Sequence, residues 1–252
     1  MLGFSQQRPG TTSVQILASG RLEKLFSDIN AQGHLRGFVK YTGLDLPHAL
    51  ENDGARRRSI ALGLGSGTLT VIHLPPQGEF VQGTTALVSG EIDLDIEHYL
   101  RRSEQIPSVL ACEVLLNHDE QVQMAGAVLL QSLPGGDTGR LAMLRTMFDD
   151  GLLPQVLADA PESTRDLLKA LLPDAQLLKK TEQPLRWQCS CSYERVLGAL
   201  QMMDLDELQS MLDKADYPEV RCEFCGANYE VSAQDLKQVC EDKKNLDTGI
   251  KN

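Results

Sequence analysis

Alternation of apolar and polar positions runs through the first half of the chain. Ser13-Val14-Gln15-Ile16-Leu17 alternates ahead of a Ser19-Gly20 turn, and Leu69-Thr70-Val71-Ile72-His73-Leu74 is β-branched and apolar. Gly65-Ser66-Gly67 precedes this second run and Pro75-Pro76 ends it, the punctuation of a strand. Val109-Leu110-Ala111-Cys112-Glu113-Val114-Leu115 reads as another strand. Ala127-Val128-Leu129-Leu130-Gln131-Ser132-Leu133 reads as a buried one, closed by Pro134-Gly135-Gly136. A helix interrupts the series: Asp95-Ile96-Glu97-His98-Tyr99-Leu100-Arg101-Arg102 carries acidic residues early and basic residues late, which suits the helix dipole. Residues 12–133 thus predict strands with one or two helices, an α+β, mixed-sheet N-terminal domain over 1–135.

Beyond Gly139 the pattern becomes helical. Leu141 to Phe148 and Glu162 to Leu172 have helical composition and spacing, divided by Pro154, Pro161 and Pro173. Lys179-Lys180-Thr181-Glu182-Gln183-Pro184 is polar and expected to be exposed. Residues 136–188 read as a helical linker, although the same pattern also fits the last helices of the first domain. From Cys189 to Asn252 the chain reads as a compact module. Ser192 is placed to cap a helix running to about Met203, and Asp204-Leu205-Asp206-Glu207 offers a second start, with a carboxylate cap and a Glu three residues on. Val220-Arg221-Cys222 and Asn228-Tyr229-Glu230-Val231 flank a tight turn, and Ser232-Ala233-Gln234-Asp235 opens a last short helix. Residues 242–252 are expected to fray.

Composition narrows the partners. The 252 residues are 42% hydrophobic and 23% charged, ordinary for a globular chain, and the 5% aromatic share implies a core of Leu, Val, Ile and Ala. The formal net charge is −11, with 7 Lys+Arg against 13 Asp+Glu in residues 189–252, a balance of −6, and −5 in the rest. Four thiolates on one Zn²⁺ would deepen the negative field of the tail. That field argues against nucleic acid, whose binders carry a basic footprint. No run of about 18 apolar residues offers a membrane span. Residues 1–10 have no basic segment followed by an apolar stretch, so no secretory leader is predicted. A cytoplasmic chain is the expectation, and there paired cysteines are more often metal ligands or redox groups than structural disulfides.

The candidate chemistry lies in four cysteines. Cys189-Ser190-Cys191 is followed, 30 residues on, by Cys222-Glu223-Phe224-Cys225-Gly226. A Cys-x-x-Cys-Gly turn brings two sulfurs to one face, and Gly226 supplies the backbone conformation that points amides at them. No histidine follows His118, so a local fourth ligand cannot be imidazole, and Cys189, Cys191, Cys222 and Cys225 are predicted to hold one Zn²⁺ as a Cys₄ site. The spacing alone favours a zinc staple for a module of about 60 residues, too small to be secure on its own core. A redox reading adds that zinc-bound thiolates are already nucleophilic and that each has a neighbour for a disulfide. Cys112 reads as a small buried hydrophobe and Cys240 as an idle or core cysteine. The five histidines (34, 48, 73, 98 and 118) are dispersed, and His73 fits a core role. Gly63-Leu64-Gly65-Ser66-Gly67 lacks the Lys-Ser/Thr ending of a phosphate loop and reads as a turn. Arg56-Arg57-Arg58 reads as a solvated loop. No catalytic residue is identified, and the chain is not expected to be an enzyme.

These residues resemble the redox-regulated heat-shock chaperone family, the thirty-three-kilodalton chaperonin. Cys-x-Cys followed by Cys-x-x-Cys-Gly at this separation is similar to that family's signature. Gly33-His34-Leu35-Arg36-Gly37 resembles its G-x-x-R-G turn. Tyr99 to Pro107, containing Ser103-Glu104-Gln105-Ile106-Pro107, resembles its helix ending in SEQ-P, and Ala125 to Gly135 resembles its LLQ-LPG strand. The resemblance implies an α+β domain, a helical linker and a C-terminal zinc domain. It implies a reduced, zinc-loaded form that is a poor chaperone. Oxidation would form Cys189–Cys191 and Cys222–Cys225 disulfides, release zinc, and unfold the zinc domain and linker. The activated form would dimerise and hold unfolding client proteins without ATP. Relative to the family, about one helical segment before Ser13 is not found in this chain. Two other functions stay open: a constitutive zinc-stapled interaction adaptor, and a thiol-disulfide oxidoreductase built on Cys222-Glu223-Phe224-Cys225. The last is opposed by the Gly226 turn, which stands where a redox enzyme would run a helix from the first cysteine.

Overall fold

The structure, a computed structural model, describes residues 9–43, 59–119, 121–136, 138–159, 161–176 and 181–249. Met1 to Arg8, His48, Arg56-Arg57-Arg58 and Lys179-Lys180 lie outside the described residues. Contacts divide the chain into two units, Met1–Arg186 and Trp187–Asn252. The fold is α+β.

In the first unit the alternating run at Ser13–Leu17 becomes the middle of β1 (Thr11–Ala18). It pairs antiparallel with β2 (Leu22–Asn30) on one side and β4 (Gly67–Leu74) on the other. With β3 (His34–Tyr41), β5 (Val81–Ala86) and Arg186, the first-unit residue of the two-residue β8 (Arg186–Trp187), the sheet order is β5-β4-β1-β2-β3-β8. The last place is held through Arg186, whose amide donates to Gly33 O at 2.9 Å. Period-two alternation puts Ile16, Leu69 and Val71 on one buried face, beside Leu64 of a single helical turn, α1 (Ala61–Leu64). His73 is buried opposite Thr12, and its Nδ1 lies 3.2 Å from Thr12 Oγ1. That is a satisfied core histidine. Gly33 does make a turn, with φ 81°, but His34 to Gly37 are already strand β3 rather than part of the turn.

α2 (Ile92–Tyr99) brings Ile96 and Tyr99 onto that core and continues as a π-helical turn, Leu100–Glu104, whose Leu100 is fully buried. It begins three residues earlier than its charge pattern suggests. Asp95 is not a surface charge complementing the dipole but is 1% exposed. Its Oδ1 accepts the amides of Val88 (2.7 Å) and Ser89 (3.1 Å), and its Oδ2 accepts that of Gly90 (2.9 Å). The carboxylate thereby replaces water for three amides of the incoming loop.

The strands β6 (Ser108–Leu116) and β7 (Val122–Gln131) form a separate antiparallel hairpin. Its faces serve two cores. Leu110, with Cys112 and Leu129 partly buried beside it, meets the sheet and α2. Val109, Ala111 and Val128 meet α3 (Thr138–Asp149), α4 (Leu152–Ala158) and α5 (Thr164–Leu171) through Leu144, Phe148, Leu153, Val156, Leu157 and Leu171. A strand covered on both faces is apolar without alternation, as Val109-Leu110-Ala111 is. Pro154 does not divide the helices; it sits in the first turn of α4, where a missing N–H costs nothing, and Gly151 (φ 88°) makes the break. α3 is tied down by Arg145. Its Nη1 donates to Glu97 Oε1 and to Leu110 O, both at 2.9 Å, while Leu110 N donates to the same Glu97 oxygen at 2.6 Å.

The second unit comprises α6 (Tyr193–Leu200), α7 (Leu205–Lys214), the hairpin β9 (Glu219–Arg221) and β10 (Asn228–Glu230), and α8 (Ala233–Gly249). Val196, Leu200, Leu208, Val231, Leu236, Val239 and Cys240 are its buried core. Ser192 caps α6 by accepting the Arg195 amide, and Ser232 caps α8 by accepting that of Asp235. Asp204 takes the N-cap position of α7 without a side-chain hydrogen bond. The expected fraying from residue 242 is replaced by helix, since α8 runs on to Gly249.

Candidate metal centre

The four cysteines come from two loops of the second unit. Cys189 and Cys191 lie just ahead of α6, in a segment that Arg195 fastens: its Nη1 donates to Ser190 O at 2.8 Å and contacts Ser190 Oγ. Cys222 and Cys225 form the β9–β10 turn. There Gly226 N donates to Cys222 O and Cys222 N to Ala227 O, both at 2.9 Å, and Gly226 adopts φ 73°. A left-handed residue at this point lets the chain reverse within one knuckle, which is why glycine stands there.

All four Sγ atoms lie within 4.8 Å of one another. Cys189 Sγ is 3.6 Å from Cys222 Sγ, and Cys191 Sγ is 3.3 Å from Cys225 Sγ. Zinc–sulfur bonds of about 2.3 Å in a tetrahedron imply sulfur–sulfur edges of about 3.8 Å. The array therefore brackets the edge of a four-thiolate site, with sulfur–sulfur separations from 3.3 Å up to 4.8 Å that would have to adjust by up to about 1 Å, and all four thiols are free of disulfides. Tyr229, on β10, donates its hydroxyl to Cys191 Sγ at 3.1 Å. That hydrogen bond, followed by contacts with Cys225 and Cys189, lowers the Cys191 pKa, and contact with Cys191 pushes the Tyr229 phenol up to about 12. At Cys225 the Ala227 amide pulls the pKa down, but Cys191, burial and the other two sulfurs outweigh it, raising the thiol to about 12. Cys191 and Cys225 are thus pushed in opposite directions by their contact, and a divalent cation at this cluster would hold its ligands as thiolates.

The remaining candidates stand apart from this cluster. Cys112 is half-buried on the sheet side of the β6–β7 hairpin, and Cys240 is 2% exposed in the second unit's core. Residues 63–67 are the end of α1 and the start of β4, a turn. Among the described residues, the four cysteines are the group able to hold a metal ion, and no helix is long and apolar enough to cross a membrane. Sequence reasoning missed Tyr229, Arg195 and Ser190. The one available signal for Tyr229 was its place in the strand leaving the Cys222–Gly226 turn.

Comparison with known proteins places the chain. The family model described as Hsp33 protein matches residues 1–232. The chain belongs to the Hsp33 family. Proteins named 33 kDa chaperonin in Streptococcus pyogenes serotype M1 and in serotype M2 strain MGAS10270 are each 29% identical to it over 245 residues, 96% of this chain and 82% of theirs. The fold is similar to that of the crystal structure of a 33 kDa chaperonin (heat shock protein 33 homolog) from Thermotoga maritima. The TM-score is 0.77 at 23% identity, covering 94% of this chain and 80% of the other.

Proposed function

We propose that this chain is a redox-regulated, ATP-independent holdase that binds unfolding client proteins, and that Cys189, Cys191, Cys222 and Cys225 are its zinc ligands and its switch. The observation that carries the proposal is the convergence of four free thiols, from segments 30 residues apart in sequence, to within 4.8 Å. Membership of the Hsp33 family, with relatives named as chaperonins, supports proteins as the clients. When bound, one Zn²⁺ per chain holds the four sulfurs as thiolates and joins the two loops. Oxidation pairs neighbours in sequence, Cys189 with Cys191 and Cys222 with Cys225. Each pair of thiolates passes two electrons to a peroxide as its S–S bond forms, and the peroxide takes up two protons and leaves as two waters. A sulfur in a disulfide no longer serves as a thiolate ligand, so both loops are released.

The energetics favour a large response. Zinc binding in small modules is worth about 10–16 kcal/mol, whereas a whole domain is stable by about 5–15 kcal/mol. Seven buried side chains make the second unit's core, so losing the ion unfolds it. The exposed client surface then supports holding, and activated chains dimerise. The tail's balance of −6 speaks against nucleic acid as a partner, and the setting is the cytoplasm. No catalytic role is assigned.

The test is aggregation of a thermally unfolding client, with the protein either reduced or treated with peroxide at unfolding temperature, alongside chromogenic zinc release. Protection by the oxidised form alone, with one zinc lost per chain, is expected. Equal protection in both states with zinc retained would make the centre a plain staple and the chain a constitutive interaction adaptor. That reading draws its support from the same small core.

A further inference from the structure

Two tyrosine hydroxyls lie near the metal-centre loops, and they are used differently. Tyr193 Oη donates to Asp235 Oδ2 at 2.8 Å, tying the start of α6 to the first turn of α8. Tyr229 Oη donates to a ligand, Cys191 Sγ, at 3.1 Å. Among the described residues it is the side-chain hydroxyl that reaches a sulfur of the cluster. Its ring is held on two sides: it packs partly buried against the second unit's core, and its backbone pairs with Val220 across the β9–β10 hairpin. The hydroxyl is therefore positioned by the same hairpin whose turn carries Cys222 and Cys225. It points at the other arm of the centre, 38 residues away.

A hydrogen bond to a thiolate engages the lone pair that the sulfur uses as a nucleophile, and outer-shell donors of this kind tune metal-bound ligands. We propose that Tyr229 is a positioning residue that restrains Cys191, setting how fast oxidant opens the centre. The proposal rests on the four-cysteine metal reading above. In the step concerned, the Cys191 thiolate attacks a peroxide oxygen and the O–O bond breaks, giving a sulfenic acid and a hydroxide that is protonated to water. The Cys189 thiolate then displaces the second hydroxide, forming the Cys189–Cys191 bond. Two electrons pass from the sulfurs to the peroxide. For the first attack Cys191 must give up the Tyr229 hydrogen bond, so the phenol raises the barrier at this sulfur and leaves the others untouched. The centre is thereby protected from mild oxidant by a group that is not a ligand.

The experiment uses the full-length, reduced, zinc-loaded chain and two variants: Tyr229→Phe, and 3-fluorotyrosine incorporated at position 229, which keeps the ring's shape and strengthens the donor. Zinc content is measured first, then the rate of peroxide-driven zinc release to a chromogenic chelator, then the rate of alkylation at each cysteine by mass spectrometry. Tyr229→Phe is expected to load one zinc and release it about tenfold faster, the loss of one hydrogen bond to a charged group. Cys191 is expected to show the largest gain in alkylation, and the fluorinated variant to release zinc more slowly than the natural chain. In the cobalt(II)-loaded protein the thiolate-to-metal charge-transfer band should move to lower energy in Tyr229→Phe while the ligand-field bands stay, a change that mere loosening of the hairpin does not produce. Unchanged release rates in both variants would overturn the proposal. So would a Tyr229→Phe gain spread evenly over all four cysteines. A natural chain that holds no zinc, or keeps it under peroxide, removes the metal-switch reading itself and this proposal with it. Should Tyr229→Phe fail to load, the fluorinated variant decides alone: slower release supports the proposal, and an unchanged rate overturns it.

Discussion

Gly33 and Gly226 both hold positive φ, 81° and 73°, yet a methyl group would meet different surroundings at each. At Gly226 the nearest atom to an added Cβ is Arg221 Nη2 at 3.6 Å, an ordinary contact, so Gly226→Ala carries the backbone penalty alone, about 1 kcal/mol. At Gly33 the Cβ would stand 2.3 Å from Pro184 O, which forces the segment that ends in Arg186 away from the sheet. Denaturant titration of the metal-loaded protein should show the smaller loss in the second unit for Gly226→Ala, and a loss of more than about 2 kcal/mol in the first unit for Gly33→Ala. Asp95 sets a third residue-level expectation. Asp95→Ala leaves three amides without their acceptor in a buried loop and should cost about 3 kcal/mol, read as a lowered urea midpoint.

Between elements, the polar tie of α2, β6 and α3 is the one whose response to pH can be worked out. Burial lifts the Glu97 carboxyl above its ordinary range, against the opposing pull of the Leu110 amide and Arg145, with Asp93 adding to the lift. Arg145 is shared with Asp149 on its own helix, Nη2 lying 2.8 Å from Oδ1. Because the folded value is raised, the stability linked to Glu97 is complete below the ordinary glutamate pKa of about 4.3 and is lost as pH climbs through the raised value. Glu97→Gln keeps an oxygen to accept from Leu110 N and Arg145, but does not ionise. Its urea midpoint relative to the natural chain should therefore improve from pH 4 to pH 7. Arg145→Met does the opposite, leaving a half-shielded carboxylate without its cation. It should cost about 2 kcal/mol at pH 7 and less at pH 4.

At the scale of the molecule, the two units differ in what holds them. The first has two apolar cores, with the β6–β7 hairpin contributing to both, and the helices α3 to α5 belong to it by packing. The second has one small core and the four sulfurs. Chelation of the metal should therefore act selectively. Hydrogen exchange with and without chelator is expected to show amides of α6 to α8 losing protection while β1, β2, β4, β6 and β7 keep theirs. Retained protection in α6 to α8 after complete metal removal would show that the core alone sustains this unit.

Much of this protein is set by interactions short enough to read along the chain. Serines at 192 and 232 stand one residue before helices they cap, Gly226 stands where a knuckle needs left-handed backbone, and the alternation around Ile16 and Leu69 marks a half-buried sheet. The number and type of candidate ligands, and their grouping as Cys-x-Cys and Cys-x-x-Cys-Gly, belong to the same class. Only the tertiary structure decided that Asp95 is a buried loop acceptor, that Glu97 meets Arg145 across 48 positions, and that Tyr229 reaches Cys191 across 38. Charge and hydropathy patterns record which side of an element is wet. They do not record which distant group arrives to satisfy a buried one, because that choice is made by packing of whole elements and leaves no periodic trace in the residues themselves.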